Sequence, residues 1–306
     1  MGLSTSVVDG VIYAIGGTDS TLLGFSTVEA YDPATATWTT LADMPTARAF
    51  FSTSVIDSVI YAIGGTIDAG SFQPLSTVEA YDSATDTWTT LADMPTARHS
   101  LSTAVVDGII YAIGGSDRTF LGFSTVEAYN PTTNTWTTGT EMPTGGGLGL
   151  PSGGIIDGKI YVIGGFENDS FVPIATVRIY DSATDTWTTG TDMPTARGVF
   201  STSVVDGQIY AIGGSDGGSS NNFLGISSVE VYDSMTGTWT TESDMPTPRA
   251  RLSTSAVNGT IYAIGGGQVW STDAFPTVEA FTPVSITAVS PQGRLTTTWG
   301  SIKNVP

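Results

Sequence analysis

The chain has no cysteine, a single histidine, and only 10 Lys and Arg among 306 residues. Without cysteine there are no disulfides, no thiolate nucleophile and no Cys-ligated metal. One histidine, His99, leaves too few ligands for a His-based zinc or iron site, so neither a metal nor a cofactor is expected. The few cations stand against 29 acidic residues, a net charge of −19, which excludes nucleic acid and anionic membrane surfaces as partners. No uninterrupted apolar run is longer than "VIYAI" or "IIYAI", far short of a membrane-spanning helix. The opening "MGLSTSVVDG" has neither the basic start nor the apolar segment of a signal peptide. The acidic balance suits a soluble monomer and favours a secreted or periplasmic setting over a cytoplasmic one.

What the chain has in abundance is repetition. Glycine pairs fall at 16–17, 64–65, 114–115, 164–165, 213–214 and 265–266, spaced by 48, 50, 50, 49 and 52 residues. The first complete unit reads "STSVVDG", "VIYAIGG", a variable loop, "STVEAYDPATATWTT" and "LADMPTAR". It predicts four short strands rich in Val, Ile, Thr, Tyr and Trp, punctuated by Asp-Gly, Gly-Gly and Asp-Pro or Asp-Ser turn signals. No window carries the 3.6-residue period of a helix. Four antiparallel strands per unit of this length predict an all-β, six-bladed β-propeller. A lone sheet of this kind cannot bury both faces, whereas six around an axis can.

Glycine pair, strand tyrosine, strand tryptophan, Met-Pro and arginine recur together, and on these motifs the chain resembles the kelch repeat family over nearly its whole length. The resemblance implies one kelch propeller spanning 1–306, with blades at about 1–45, 46–95, 96–143, 144–194, 195–246 and 247–306. Its function stays open, because kelch propellers serve as adaptors, scaffolds and occasional enzymes.

The ends fix how the ring closes. "LSTSVVDG" at Leu3 matches the strand that follows each repeat arginine. "TWGSIKNVP" from Thr298 aligns with "TWTTLADMP" from Thr37, which makes Trp299 the sixth blade tryptophan at the expense of an insertion before it. In the alternative alignment "SITAV" is the last outer strand and the remainder a tail. Under both, each blade is consecutive in sequence, and no strand is borrowed across the seam.

Function is sought where the copies differ. All 11 tyrosines fall at two framework positions, which assigns them to the core. Arg48, Arg98, Arg197 and Arg249 end the loops leading into blades 2, 3, 5 and 6, and the same blades carry Glu79, Glu127, Glu230 and Glu279. Blade 4 has neither, with "MPTGGGLGL" before it and Arg178 at the Glu position. Joint loss predicts that each Arg pairs with the Glu of its blade. What remains on the strand 2–3 and inter-blade loops is Arg118, Arg251, His99, Trp270 and an apolar series, Leu22, Phe72, Phe120, Phe171 and Phe223. Exposed, the series forms a binding rim; packed inward, each Phe caps its own blade.

No catalytic constellation emerges. Copper chemistry resembling galactose oxidase needs the absent cysteine. Iron sites resembling those of plant specifier proteins need carboxylates spaced before the histidine, and His99 has none. Chemistry resembling sialate mutarotases uses Arg and carboxylates, for which Arg251, Arg118 and Glu167 are the candidates. The expected function is therefore non-catalytic binding or scaffolding of a protein or peptide on the loop face; the alternative is carbohydrate binding or epimerisation at the channel mouth.

Overall fold

The computed structural model describes residues 1–143, 147–148, 152–167, 172–217, 224–268, 274–283 and 299–302. Six four-stranded antiparallel sheets form the ring, each from one stretch of the chain, and a separate three-stranded sheet of Gly147–Leu148, Phe166–Glu167 and Val172–Pro173 interrupts the strand succession of blade 4; there is no helix among the described residues. In blade 1 the strands are β1 (Ser4–Val8), β2 (Val11–Ile15), β3 (Val28–Asp32) and β4 (Thr37–Thr40), paired in that order. The β1–β2 turn sets Asp9 at φ 50° and Gly10 at φ 81°, the doubly left-handed geometry of a two-residue hairpin.

The glycine pair serves close approach. A Cβ on Gly16 would sit 2.5 Å from the Arg48 carbonyl, and both Gly16 and Gly17 have positive φ. Strand 2 can therefore press against the innermost strand of the next blade.

Each junction holds its own buried cluster. Between blades 1 and 2, Tyr13, Ile15, Val28 and Met44 meet Phe51, Ile60, Ala62 and Tyr81. Between blades 6 and 1, Val257, Ile264 and Val278 meet Ile12 and Tyr31. On the outer edge five strand tryptophans donate their indole N–H to a carbonyl of the preceding blade: Trp88 to Ala42, Trp136 to Ala92, Trp187 to Thr140, Trp239 to Thr191 and Trp299 to Ser243, all within 2.9–3.0 Å.

Trp299 settles the C-terminal alignment. It pairs with Phe281 as Trp38 pairs with Tyr31, so Trp299–Ile302 is the outer strand of blade 6. The seam then closes without exchange of strands. Ser253 and Ser255 hydroxyls both reach the Thr5 hydroxyl at 2.8 Å.

Candidate functional site

The innermost strands carry a Ser-Thr-Ser pattern whose alternate hydroxyls meet around the axis. Ser4 and Ser6 both bond Thr53 of the next blade at 2.8 Å, Ser52 and Ser54 bond Thr103, and Ser201 and Ser203 bond Thr254. Ser152 reaches Thr202. Between blades 3 and 4 the pattern is replaced by Ala104 and Gly153. A side chain at Gly153 is blocked, because a Cβ there would collide with the Tyr161 carbonyl.

Above this belt lies a ring the repeat pattern does not announce. Gly2, Phe50, Ser100, Val199 and Arg251 stand at the same place in their blades, all with φ between 52° and 60°. Their backbones bond in sequence around the axis: Phe50 N–H to Gly2 O at 2.8 Å, Ser100 N–H to Phe50 O at 2.6 Å, Arg251 N–H to Val199 O at 2.8 Å and Gly2 N–H to Arg251 O at 3.3 Å. Each left-handed residue turns the chain so that its amide and carbonyl point at its neighbours rather than along the strand. The ring narrows the channel mouth. Beneath it is a small recess of about 130 Å³, lined by Phe50, Phe51, Phe200, Arg251 and the serines of the belt.

Arg251 sits in the mouth with its guanidinium carbon 5.4 Å from the Phe50 ring centre, and burial lowers its pKa to about 10. His99 is buried. Its Nδ1 lies 2.9 Å from the Ser100 hydroxyl and its Nε2 3.0 Å from the Asp117 carbonyl. Burial pushes its pKa down to about 4, so the ring is neutral near pH 7. Phe72 and Phe120 are half-buried and face each other at 4.8 Å, with His99 5.1 Å from Phe72 and Phe72 5.5 Å from Phe50. The structure thus brings Phe72, Phe120 and His99 into one cluster beside the mouth and leaves Arg118 exposed on the same loop as Phe120. Phe171, Phe223 and Trp270 lie outside the described residues.

The most exposed apolar side chains on these loops are largely the next residues along. Leu23, Leu121, Val172 and Leu224 are 53–56% exposed, and Ile67, Phe25 and Leu22 add to them. Leu22, Phe72 and Phe120 adopt φ of 65°, 50° and 63°, and that left-handed turn presents the following residue outward. Of the apolar series, Leu22 is exposed and Phe72 and Phe120 are half-buried.

The predicted Arg–Glu pairs are present in all four blades: Arg48–Glu79 at 2.7 Å, Arg98–Glu127 at 3.0 Å, Arg197–Glu230 at 3.1 Å and Arg249–Glu279 at 2.7 Å. The arginines are fully buried, and each also donates to two backbone carbonyls, for Arg48 those of Gly64 and Thr77. They tie each inter-blade loop to its sheet. Among the described residues no three His, Asp or Glu side chains converge as metal ligands.

Comparison with known proteins agrees with this architecture. The sequence profile of the KLHDC2/KLHL20/DRC7 Kelch-repeats domain matches residues 1–148, and the Kelch motif matches 150–194 and 197–246. The chain belongs to the kelch repeat family. It is similar to the F-box/kelch-repeat protein At1g67480 of Arabidopsis thaliana, 39% identical over 114 residues, which is 37% of this chain and 29% of that protein. Alpha-scruin of Limulus polyphemus is 30% identical over 39% of this chain and 13% of its own length. Kelch-like protein 40 of Xenopus tropicalis is 32% identical over 36% of this chain and 17% of its own. The matches therefore span less than a third of those relatives. The solved structure of YjhT superposes with a TM-score of 0.78, covering 92% of this chain and 94% of that one, at 16% identity. That likeness shows the shared fold.

Proposed function

We propose that this propeller is a non-catalytic binding or scaffolding module that engages a protein or peptide through the face holding the strand 2–3 and inter-blade loops. The exposed apolar series on that face carries the reading: Leu22, Leu23, Phe25, Ile67, Leu121, Val172 and Leu224 lie on the loops of a chain with net charge −19. Exposed residues of this size on successive loops mark an interaction surface, and burying one Leu contributes roughly 1.5–3 kcal/mol. Phe72, Phe120 and His99 would support the surface from beneath, while Arg118 and Arg251 would supply its cations.

The test is selection of peptide ligands from a displayed library, followed by binding to a Leu23→Ser, Ile67→Ser, Leu121→Ser, Leu224→Ser variant. The substituted side chains are exposed, so the fold and melting temperature should persist while affinity falls more than tenfold. Ligands that bind the variant equally well would refute the reading. A second reading, carbohydrate recognition, has one supporting observation: the serine-lined recess with Phe50 and Arg251 at its mouth. It predicts binding on a glycan array that disappears in Arg251→Ala and survives the loop variant.

A further inference from the structure

In blades 1 to 3 every exposed large apolar side chain lies on the loop face: Leu22, Leu23, Phe25, Ile67 and Leu121. The opposite face, where the strand 1–2 hairpins turn, is charged at the exposed Asp9, Asp57 and Asp107 but presents no apolar side chain of that size in these blades. Leu22, Leu23 and Ile67 form one patch, because the strand 2–3 loops of blades 1 and 2 are stitched together. Ala69 N–H donates to Leu22 O and Gly24 N–H to Ile67 O, both at 2.7 Å. These bonds order the loops in advance, so the patch offers its side chains on a fixed frame. The rings of Phe72 and Phe120, 4.8 Å apart, join the blade 3 loop and its Leu121 to the same frame.

Carboxylates accompany this patch. At the root of each loop stands an aspartate, Asp19, Asp68 or Asp117, whose Oδ1 accepts the backbone N–H of Thr21, Gly70 or Thr119 at 2.7–2.8 Å. Leu121 N–H also reaches Asp117 Oδ1, at 3.1 Å, and Leu23 stands across the loop bridge from Asp68. The Thr21 and Gly70 amides hold the Asp19 and Asp68 carboxyls below the usual carboxylate range, so both are charged near pH 7. Farther out, the exposed Asp43, Asp93 and Glu141 follow the fourth strands of the three blades. Asp93 and Glu141 accept the hydroxyls of Ser76 and Ser124, just before strand 3 of their blades, at 3.3 and 3.2 Å.

Cations are scarce in the same sector. The described residues 1–143, which make up blades 1 to 3, include three arginines and no lysine. Arg48 and Arg98 are fully buried against Glu79 and Glu127, and Arg118 alone is exposed, at the blade 3 edge of the patch. We propose that this patch docks a cationic segment of a partner protein, one in which lysines or arginines flank bulky apolar side chains; this rests on the binding role proposed above and names the chemistry of its partner. Apolar side chains of the segment cover Leu22, Leu23, Ile67 and Leu121, and their cationic neighbours reach the surrounding carboxylates. Apolar contact supplies the holding energy, while complementary charge speeds encounter and rejects acidic competitors.

The test uses peptides selected on the full chain from a random displayed library. Those that lose binding to the Leu23→Ser, Ile67→Ser, Leu121→Ser, Leu224→Ser variant should carry more Lys and Arg than Asp and Glu, beside bulky apolar residues. Their affinity should fall severalfold as salt rises from about 0.01 M to about 0.15 M, over which the screening length shrinks from about 30 Å to about 8 Å. Asp68→Asn, Asp93→Asn and Glu141→Gln together should weaken them about tenfold, whereas Asp9→Asn, Asp57→Asn and Asp107→Asn, an equal charge change on the hairpin face, should weaken them less than about twofold. Each substitution keeps a side-chain oxygen acceptor, so the melting temperatures should stay near that of the parent. Arg118→Ser should strengthen binding about twofold. Neutral or acidic peptides with the same dependence on the apolar residues, equal losses in the two triple variants, or weaker binding to Arg118→Ser would overturn the proposal and leave the binding role standing. Recovery of no peptide that depends on the apolar residues would refute the binding role itself, and the proposal with it.

Discussion

Replacing Arg48 with methionine removes the one cation that faces Glu79 inside the junction of blades 1 and 2. Arg48 has no exposed surface; its Nη2 is 2.7 Å from the carboxylate and its Nη1 serves the Gly64 and Thr77 carbonyls at 3.0 and 3.1 Å. The substitution leaves a buried carboxylate held only by the Thr46 hydroxyl and amide, together with two carbonyls that lose a donor. Breaking a buried pair from one side costs about 3–5 kcal/mol. For a domain of 306 residues a kilocalorie is worth roughly 1.5 °C, so the melting temperature should fall by roughly 5–8 °C. Glu79→Gln should destabilise in the same direction, because it strands the guanidinium. An Arg48→Met, Glu79→Leu double variant removes both charges, and most of the loss should return, to within about 1 kcal/mol of the parent. Glu29→Gln is the internal control: the same residue type at the same strand position, half-exposed, should change stability by less than about 0.5 kcal/mol. Scanning calorimetry on the five proteins decides the matter. Additive single substitutions, or equal costs at Glu79 and Glu29, would refute the view that these pairs lock the loops to the sheets.

Three further outcomes are expected. His99 has a folded pKa of about 4 against an ordinary 6.5, so between those values the unfolded chain binds a proton that the folded chain does not. Stability should therefore decline as pH drops from 6.5 toward 4, by on the order of 2–3 kcal/mol, and His99→Gln should remove that part of the slope in urea titrations. Deleting Leu295–Pro306 takes away the outer strand of blade 6 and the Trp299–Ser243 bond, and should sharply lower the melting temperature; an unchanged value would refute the strand assignment. Gly153→Thr restores the repeat consensus yet should destabilise the protein by more than about 2 kcal/mol, because its Cβ meets the Tyr161 carbonyl. A neutral or stabilised variant in chemical denaturation would show that the blade 4 backbone yields.

The framework was legible because it is written six times. Spacing of glycine pairs gave the blades, and the joint loss of Arg and Glu in blade 4 exposed the ion pairs without a homologue. Alignment of Trp299 on Trp38 located the last strand, although an insertion separates it from its blade. Less legible were features that depend on one backbone angle. Phe50, Ser100, Val199 and Arg251 share no side-chain chemistry, so their common left-handed φ leaves no compositional trace. The same geometry at Phe120 leaves that ring half-buried and Leu121 facing water, and pattern alone treats the two as equivalent. The indole bonds escaped notice for another reason. A repeat unit shows which residues recur, whereas Trp88 finds its acceptor, Ala42, across the border between units.

That border has a consequence for assembly. Five junctions share the same indole clasp and several share the same hydroxyl contacts, so a blade meeting a foreign neighbour finds nearly everything it finds at home. Covalent order, rather than recognition, decides which sheet docks on which. In concentrated refolding mixtures, where a second chain is as close as the next segment, interlocked dimers with traded blades are the expected by-product. Dilution is then what selects the single closed molecule.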